Sequence, residues 1–153
     1  MKRRLLLTGP IGCGKSTLIA NALGGAIRHA GGFLTLRVIE HGRLAGFDLA
    51  PACGGPRERF LSFGEGGAVR DERPFAVTAP ALLKEAQKKK FAVLDEIGGF
   101  ELLCPDFYEA LTRFFFSGTP CVGVLKALPS AEELTRRVDL PPEYLEAASE
   151  LHG

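Results

Sequence analysis

Gly9-Pro10-Ile11-Gly12-Cys13-Gly14-Lys15-Ser16-Thr17 follows the apolar run Leu5-Leu6-Leu7 and opens onto a helix-favouring stretch that stops at Gly24-Gly25. The nine residues satisfy G-x-x-x-x-G-K-[ST] in the setting the pattern demands, after a buried strand and before a helix. Gly12 and Gly14 permit turns closed to other residues, so that successive N–H groups face phosphate oxygens. The helix expected from Lys15 to about Leu23 adds the positive end of its dipole. Lys15 is placed to reach the β- and γ-phosphates, Ser16 to coordinate Mg²⁺, and Thr17 to approach the α-phosphate. The stretch therefore predicts a P-loop and a Mg²⁺-dependent nucleoside-triphosphate site.

Further along the chain, Phe91-Ala92-Val93-Leu94 is a second continuous apolar run, and it ends in Asp95-Glu96. A strand that delivers an acidic end has the form of a Walker B segment, in which the aspartate holds the metal's shell. Asp95 fits that role and Glu96 is placed to orient or deprotonate an attacking water. The adjacent Asp-Glu pair also predicts that another strand lies between the P-loop strand and this one. Cys121-Val122-Gly123-Val124-Leu125 reads as a third buried strand.

Between these runs, residues 33–39 and 44–49 are β-prone around Glu40-His41-Gly42-Arg43, the pattern of a hairpin. From Pro51 to Pro74 the chain is rich in Gly, Pro, Arg and Glu, so loops around one short strand at Phe60-Leu61-Ser62-Phe63 are expected, with the role of a mobile cover. A helix is expected over Ala81 to Lys90. Pro105 opens another, in which Phe107, Leu111, Phe114 and Phe115 form one apolar stripe read as core. Ser130 with Glu133 is a capping box for a helix to about Val138. Strands alternating with helices imply right-handed crossovers and a mainly parallel sheet covered on both faces.

The chain has 153 residues, 46% of them hydrophobic and 24% charged, which fits one domain over 1–153 with an ordinary core. A net charge of +1 gives no strong electrostatic partner, so nucleic acid is not expected, and Lys88-Lys89-Lys90 reads as the solvated last turn of a helix. Cys13, Cys53, Cys104 and Cys121 form no C-x-x-C pair and read as thiols in a reducing compartment. His29, His41 and His152 share no ligand spacing. With no signal peptide and no stretch long enough to span a membrane, a cytoplasmic protein is expected. A monomer is expected, with an oligomer left open.

Together GPIGCGKSTL (Gly9 to Leu18), GGFLT (Gly31 to Thr35), GFDL (Gly46 to Leu49) and LDEIGGFEL (Leu94 to Leu102) resemble the small nucleoside-triphosphatase family first known from thermophiles. The resemblance covers residues 3 to about 128. It implies a RecA-like α/β fold, with a β-hairpin after the first helix, and slow hydrolysis of ATP, GTP and other nucleoside triphosphates to diphosphates. Glu101 matches the family's second acidic residue, which would organise water or an arginine near the γ-phosphate, though it reads equally as an ordinary charge before the helix at Pro105. Members commonly carry Lys-Met where this chain has Gly99 and Phe100, and the Glu and Arg of their first hairpin strand are here Arg37 and Ile39. Their C-terminal Asn-Arg segment is missing from PPEYLEAASELHG.

Transition-state charge requires a cation beyond Lys15, and Arg43, Arg57, Arg59, Arg70, Arg73, Arg136 and Arg137 are the candidates. No motif commits one of them, so turnover below about 1 s⁻¹ is expected. Two other functions share the same loop. One is a kinase passing the γ-phosphoryl to a small acceptor or a nucleic-acid 5′ end, with an acceptor pocket drawn from Arg57 to Arg73. The other is a nucleotide-binding accessory protein or switch with incidental hydrolysis.

Overall fold

The computed structural model describes residues 4–8, 21, 23–97, 100–125 and 143–146, and the side chains of residues 21, 23–95 and 102–124. Among the described residues eight strands form one sheet: β1 (Arg4–Thr8), β2 (Gly31–Glu40), β3 (Arg43–Pro51), β4 (Glu58–Gly64), β5 (Gly67–Arg70), β6 (Ala92–Ile97), β7 (Cys121–Leu125) and β8 (Glu143–Glu146). Their spatial order is β5-β4-β3-β2-β6-β7-β1-β8. Every pairing from β2 to β8 across that order is parallel, and β2-β3, β3-β4 and β4-β5 are antiparallel. The intervening strand predicted from Asp95-Glu96 is β7, which pairs with β1 on one side and β6 on the other.

Continuous apolar runs form the central strands because both faces of the sheet are covered. On β6, Ala92 and Leu94 join one buried cluster and Val93 the other, as the two-residue period of a strand requires. The first face is covered by α1 (Ala79–Ala86) and α2 (Pro105–Ser117). Phe107, Leu111, Phe114 and Phe115 are the buried stripe of α2, as their spacing predicted. On the second face Val93 and Val124 are buried, with Leu23 and Ile27 packed against them. Of the helix expected over Lys15 to Leu23, Asn21 and Leu23 are described and both are helical.

β2 and β3 are joined by the two residues His41 and Gly42, both with positive φ (52° and 75°). That is the turn whose twist matches a hairpin. The hairpin is therefore where the sequence placed it.

In the stretch from Pro51 to Pro74 the short strand expected at Phe60 to Phe63 is present as β4, but what surrounds it differs from expectation. The stretch forms β4 and β5, a second hairpin that carries the sheet outward, and not a covering loop. β4 is anchored by Phe60, which lies at a register irregularity opposite Phe47 and Asp48 and stacks edge-on against Phe75 with ring centroids 4.9 Å apart. β5 buries none of its four residues, so no periodic apolar signal marks it. β8 also lies in a stretch that gave no strand signal, and it pairs with β1.

The helix expected over Ala81 to Lys90 begins and ends earlier. A π-helical turn (Pro74–Thr78) leads into α1, and Pro80 is tolerated because it lies in the first turn. Lys88, Lys89 and Lys90 thus follow the helix as an exposed turn and are not its last turn, although Lys88 pairs with Glu85 at 3.6 Å. The capping-box helix at Ser130 to Val138 lies outside the described residues.

A seam of rings binds the two halves of the sheet. Phe47 meets Phe60, Phe60 meets Phe75, and Phe75 meets both Phe33 and Phe107, with centroids between 4.9 and 6.3 Å. Such pairs add about 0.5–1.5 kcal/mol each beyond their burial.

Candidate functional site

Because β1, β2, β6 and β7 run parallel, their carboxyl ends share one edge of the sheet, the edge at which open α/β sheets bind ligands. β1 ends at Thr8, at that edge. Gly9, Pro10, Ile11, Gly12, Cys13, Gly14, Lys15, Ser16 and Thr17 themselves lie outside the described residues. With β7 between them, β6 stands two strand spacings from β1, about 10 Å.

Asp95 comes to this edge near the end of β6. It is 3% exposed, and it and Thr119 are the buried polar residues of the described set. A carboxylate withdrawn from water is costly unless hydrogen bonds or a cation compensate. Two donors reach its Oδ2: the Thr35 main-chain N–H at 3.0 Å and the Thr35 hydroxyl at 3.2 Å. The origin of the contact is topological. β2 pairs with β6 only over Gly31, Gly32 and Phe33, beginning with the Gly31 N–H donating to Phe91 O at 2.9 Å. Donors in such a ladder recur every two residues, so the Thr35 N–H is next in line as β2 departs toward its hairpin. The Asp95 side chain receives it.

Gly32 makes the close approach possible. Its φ is +87°, and a Cβ there would run into the Val93 carbonyl. The Gly-Gly-Phe-Leu-Thr run thus packs two strands together and delivers Thr35 to Asp95. Thr35 was not among the residues picked from the sequence as functional, although it closes one of the quoted stretches.

Asp95 supplies hard carboxylate oxygen at an edge where phosphate would lie. Among the described residues no three His, Cys, Asp or Glu side chains gather as a cage. Such a donor fits Mg²⁺, which keeps several waters and takes its remaining ligands from one or two protein oxygens and from substrate phosphate. Ser16, the other expected ligand, lies outside the described residues.

Glu96 follows Asp95 on β6, and Glu101 lies in a 3₁₀ turn (Phe100–Leu103); the side chains of both are outside the described residues. Of the candidate arginines, Arg57 and Arg59 converge on one carboxylate. Arg57 Nε donates to Asp48 Oδ2 at 3.0 Å and Arg59 Nε to Asp48 Oδ1 at 2.7 Å. Asp48 is the acidic residue of the Gly-Phe-Asp-Leu stretch, and its side chain is 13% exposed against 48% and 37% for the arginines. The acceptor pocket imagined from Arg57 to Arg73 is thereby largely converted into paired strands. Arg43 sits at the exposed hairpin turn, Arg70 and Arg73 are exposed, and Arg136 and Arg137 lie outside the described residues. No helix among the described residues is long and apolar enough to cross a membrane.

Comparison with known proteins adds to this geometry. The model of the family described as "NTPase" matches residues 4–141. The chain is 31% identical to the cancer-related nucleoside-triphosphatase homolog of Mus musculus, covering 92% of this chain and 86% of that one. It is 29% identical to the nucleoside-triphosphatase THEP1 of Thermotoga sp. (strain RQ2), over 90% of this chain and 83% of that protein. The solution structure of a human cancer-related nucleoside triphosphatase superposes with a TM-score of 0.75 at 28% identity, covering 94% of this chain and 88% of the other.

Proposed function

Since the chain belongs to the NTPase family, we propose that it hydrolyses nucleoside triphosphates, ATP and GTP among them, to diphosphate and phosphate in a Mg²⁺-dependent reaction. The observation that carries the site assignment is the buried Asp95 at the carboxyl edge, one strand removed from the strand that leads into Gly9.

In this reading the N–H groups of Gly9 to Thr17 hold the phosphate chain and Lys15 neutralises its β- and γ-oxygens. Ser16 and Asp95 would hold the cation, Mg²⁺, which when bound would supply positive charge to offset that developing on the transferred phosphoryl group. Glu96 orients the attacking water and takes its proton as the new O–P bond forms and the bond to the β-phosphate oxygen breaks. Glu101 organises water or an arginine near the γ-phosphate. The enzyme acts as a cytoplasmic monomer, a setting that suits Cys53 and Cys104, which are both thiols.

Phosphate release from Mg-ATP and Mg-GTP, run beside a panel of alcohol, sugar and 5′-hydroxyl acceptors, tests the reaction. Release without an acceptor, abolished by EDTA, is expected. Transfer to an acceptor with no release in its absence would replace hydrolysis by a kinase reaction, and EDTA-resistant release would remove Ser16 and Asp95 from their roles.

A further inference from the structure

We propose that Thr35 is a positioning residue of the metal site, fixing the rotation of the Asp95 carboxylate through two hydrogen bonds to a single oxygen. The inference rests on the assignment of Asp95 to the magnesium shell and extends it to a second strand.

The geometry has three parts. Both donors converge on Oδ2, the N–H from 3.0 Å and the hydroxyl from 3.2 Å, so the plane of the carboxylate is set as well as its place. Asp95 is almost wholly enclosed, so its rotamer is chosen by neighbours and not by solvent. Finally, the contact joins residues sixty positions apart exactly where β2 stops pairing with β6, so it ties the hairpin half of the sheet to the acidic edge. One donor is fixed by strand register whatever residue stands at position 35. The other depends on the side chain being Thr or Ser, and that dependence makes the idea testable.

Thr35→Val keeps the shape and replaces the hydroxyl with a methyl group, while Thr35→Ser keeps the hydroxyl. Both are compared with wild type and Asp95→Asn in the full chain. The readouts are Mn²⁺ titration into the ADP complex followed by electron paramagnetic resonance, ATP affinity in EDTA by calorimetry, and melting temperature. Groups that orient metal ligands commonly change metal affinity by about 10–100-fold when lost. Thr35→Val should therefore weaken Mn²⁺ by about tenfold or more with ATP affinity in EDTA unchanged, and Thr35→Ser should recover most of the loss. If Thr35→Val lowers the melting temperature while Mn²⁺ affinity stays within about twofold and Asp95→Asn loses it, Thr35 only caps the ladder and the inference falls, leaving the site assignment intact. If Asp95→Asn binds Mn²⁺ as the wild type does, the site assignment falls and the inference with it. Should Thr35→Val not fold, Thr35→Ala removes the hydroxyl without placing a methyl group against the carboxylate and carries the same test.

Discussion

The sheet has two halves that follow different rules. In the parallel half, Ala92, Val93, Leu94 and Val124 are fully enclosed, and helical residues cover both faces. In the antiparallel half, burial fades with distance from β2, until β5 exposes all four of its residues and Val69 is 67% exposed. The proposed site lies at the edge of the first half. The second half enters it through β2, whose first residues pair with β6 and whose Thr35 bonds Asp95. Substitutions should accordingly cost rate at the parallel edge, stability in the ring seam and at the junction, and progressively less outward along the hairpins.

The largest effect belongs to Glu96→Gln, which keeps size and reach but removes basicity. If Glu96 acts on the nucleophile, kcat should fall by about 10²–10⁴ with ATP affinity little changed, read by single-turnover hydrolysis beside calorimetry. A wild-type rate, with Glu101→Gln inactive, would move the role to Glu101.

Phe107→Ala comes next. The residue is fully buried and its ring meets those of Phe33 and Phe75, so its loss should cost about 3–5 kcal/mol in a denaturant melt. A cost under about 1 kcal/mol would mean that the seam does not bind the halves.

Gly32→Ala tests the junction. It places a side chain at φ +87° and against the Val93 carbonyl, a backbone conformation that alone costs about 1–3 kcal/mol. The melt should fall by at least that much. A neutral result would show that β2 and β6 separate without penalty.

Asp48→Asn is the smallest of the four. It removes the carboxylate shared by Arg57 and Arg59, and exposed or half-exposed pairs of this kind contribute about 0.2–1 kcal/mol each and are screened by salt. A loss near 1 kcal/mol that shrinks in high salt is expected. A larger, salt-independent loss would make this cluster part of the core support and not a surface clamp.

The same division decides what could be read from the sequence. Runs such as Phe91 to Leu94 and Cys121 to Leu125 announce strands because burial on both faces demands unbroken apolarity, and Asp95 is visible as the break in one of them. The Phe107, Leu111, Phe114 and Phe115 stripe is visible for the corresponding helical reason. β4 could be read from Phe60 to Phe63, but β5 was hidden among Gly, Arg and Glu because a strand exposed on both faces imposes no such pattern. Thr35 and Asp48 lay inside recognised stretches, yet their partners are strands away and no local spacing points from Thr35 to Asp95 or from Asp48 to Arg59. The proposed phosphate loop rests on spacing alone, while the support around Asp95 depends on register, which no short window contains.

The His41-Gly42 turn has a consequence for the order in which the molecule assembles. Strands β2 to β5 close through short connections, so their contacts are local and can form early, whereas β1 must wait for Cys121 to Leu125 before it has its β7 neighbour. A chain leaving the ribosome can therefore zip its hairpins while β1 still lacks this pairing, and the edge proposed to hold triphosphate is completed late. Pulse-labelled amide exchange during refolding should find β2 and β3 protected before β1; the reverse order would mean that the long-range parallel pairing nucleates the fold.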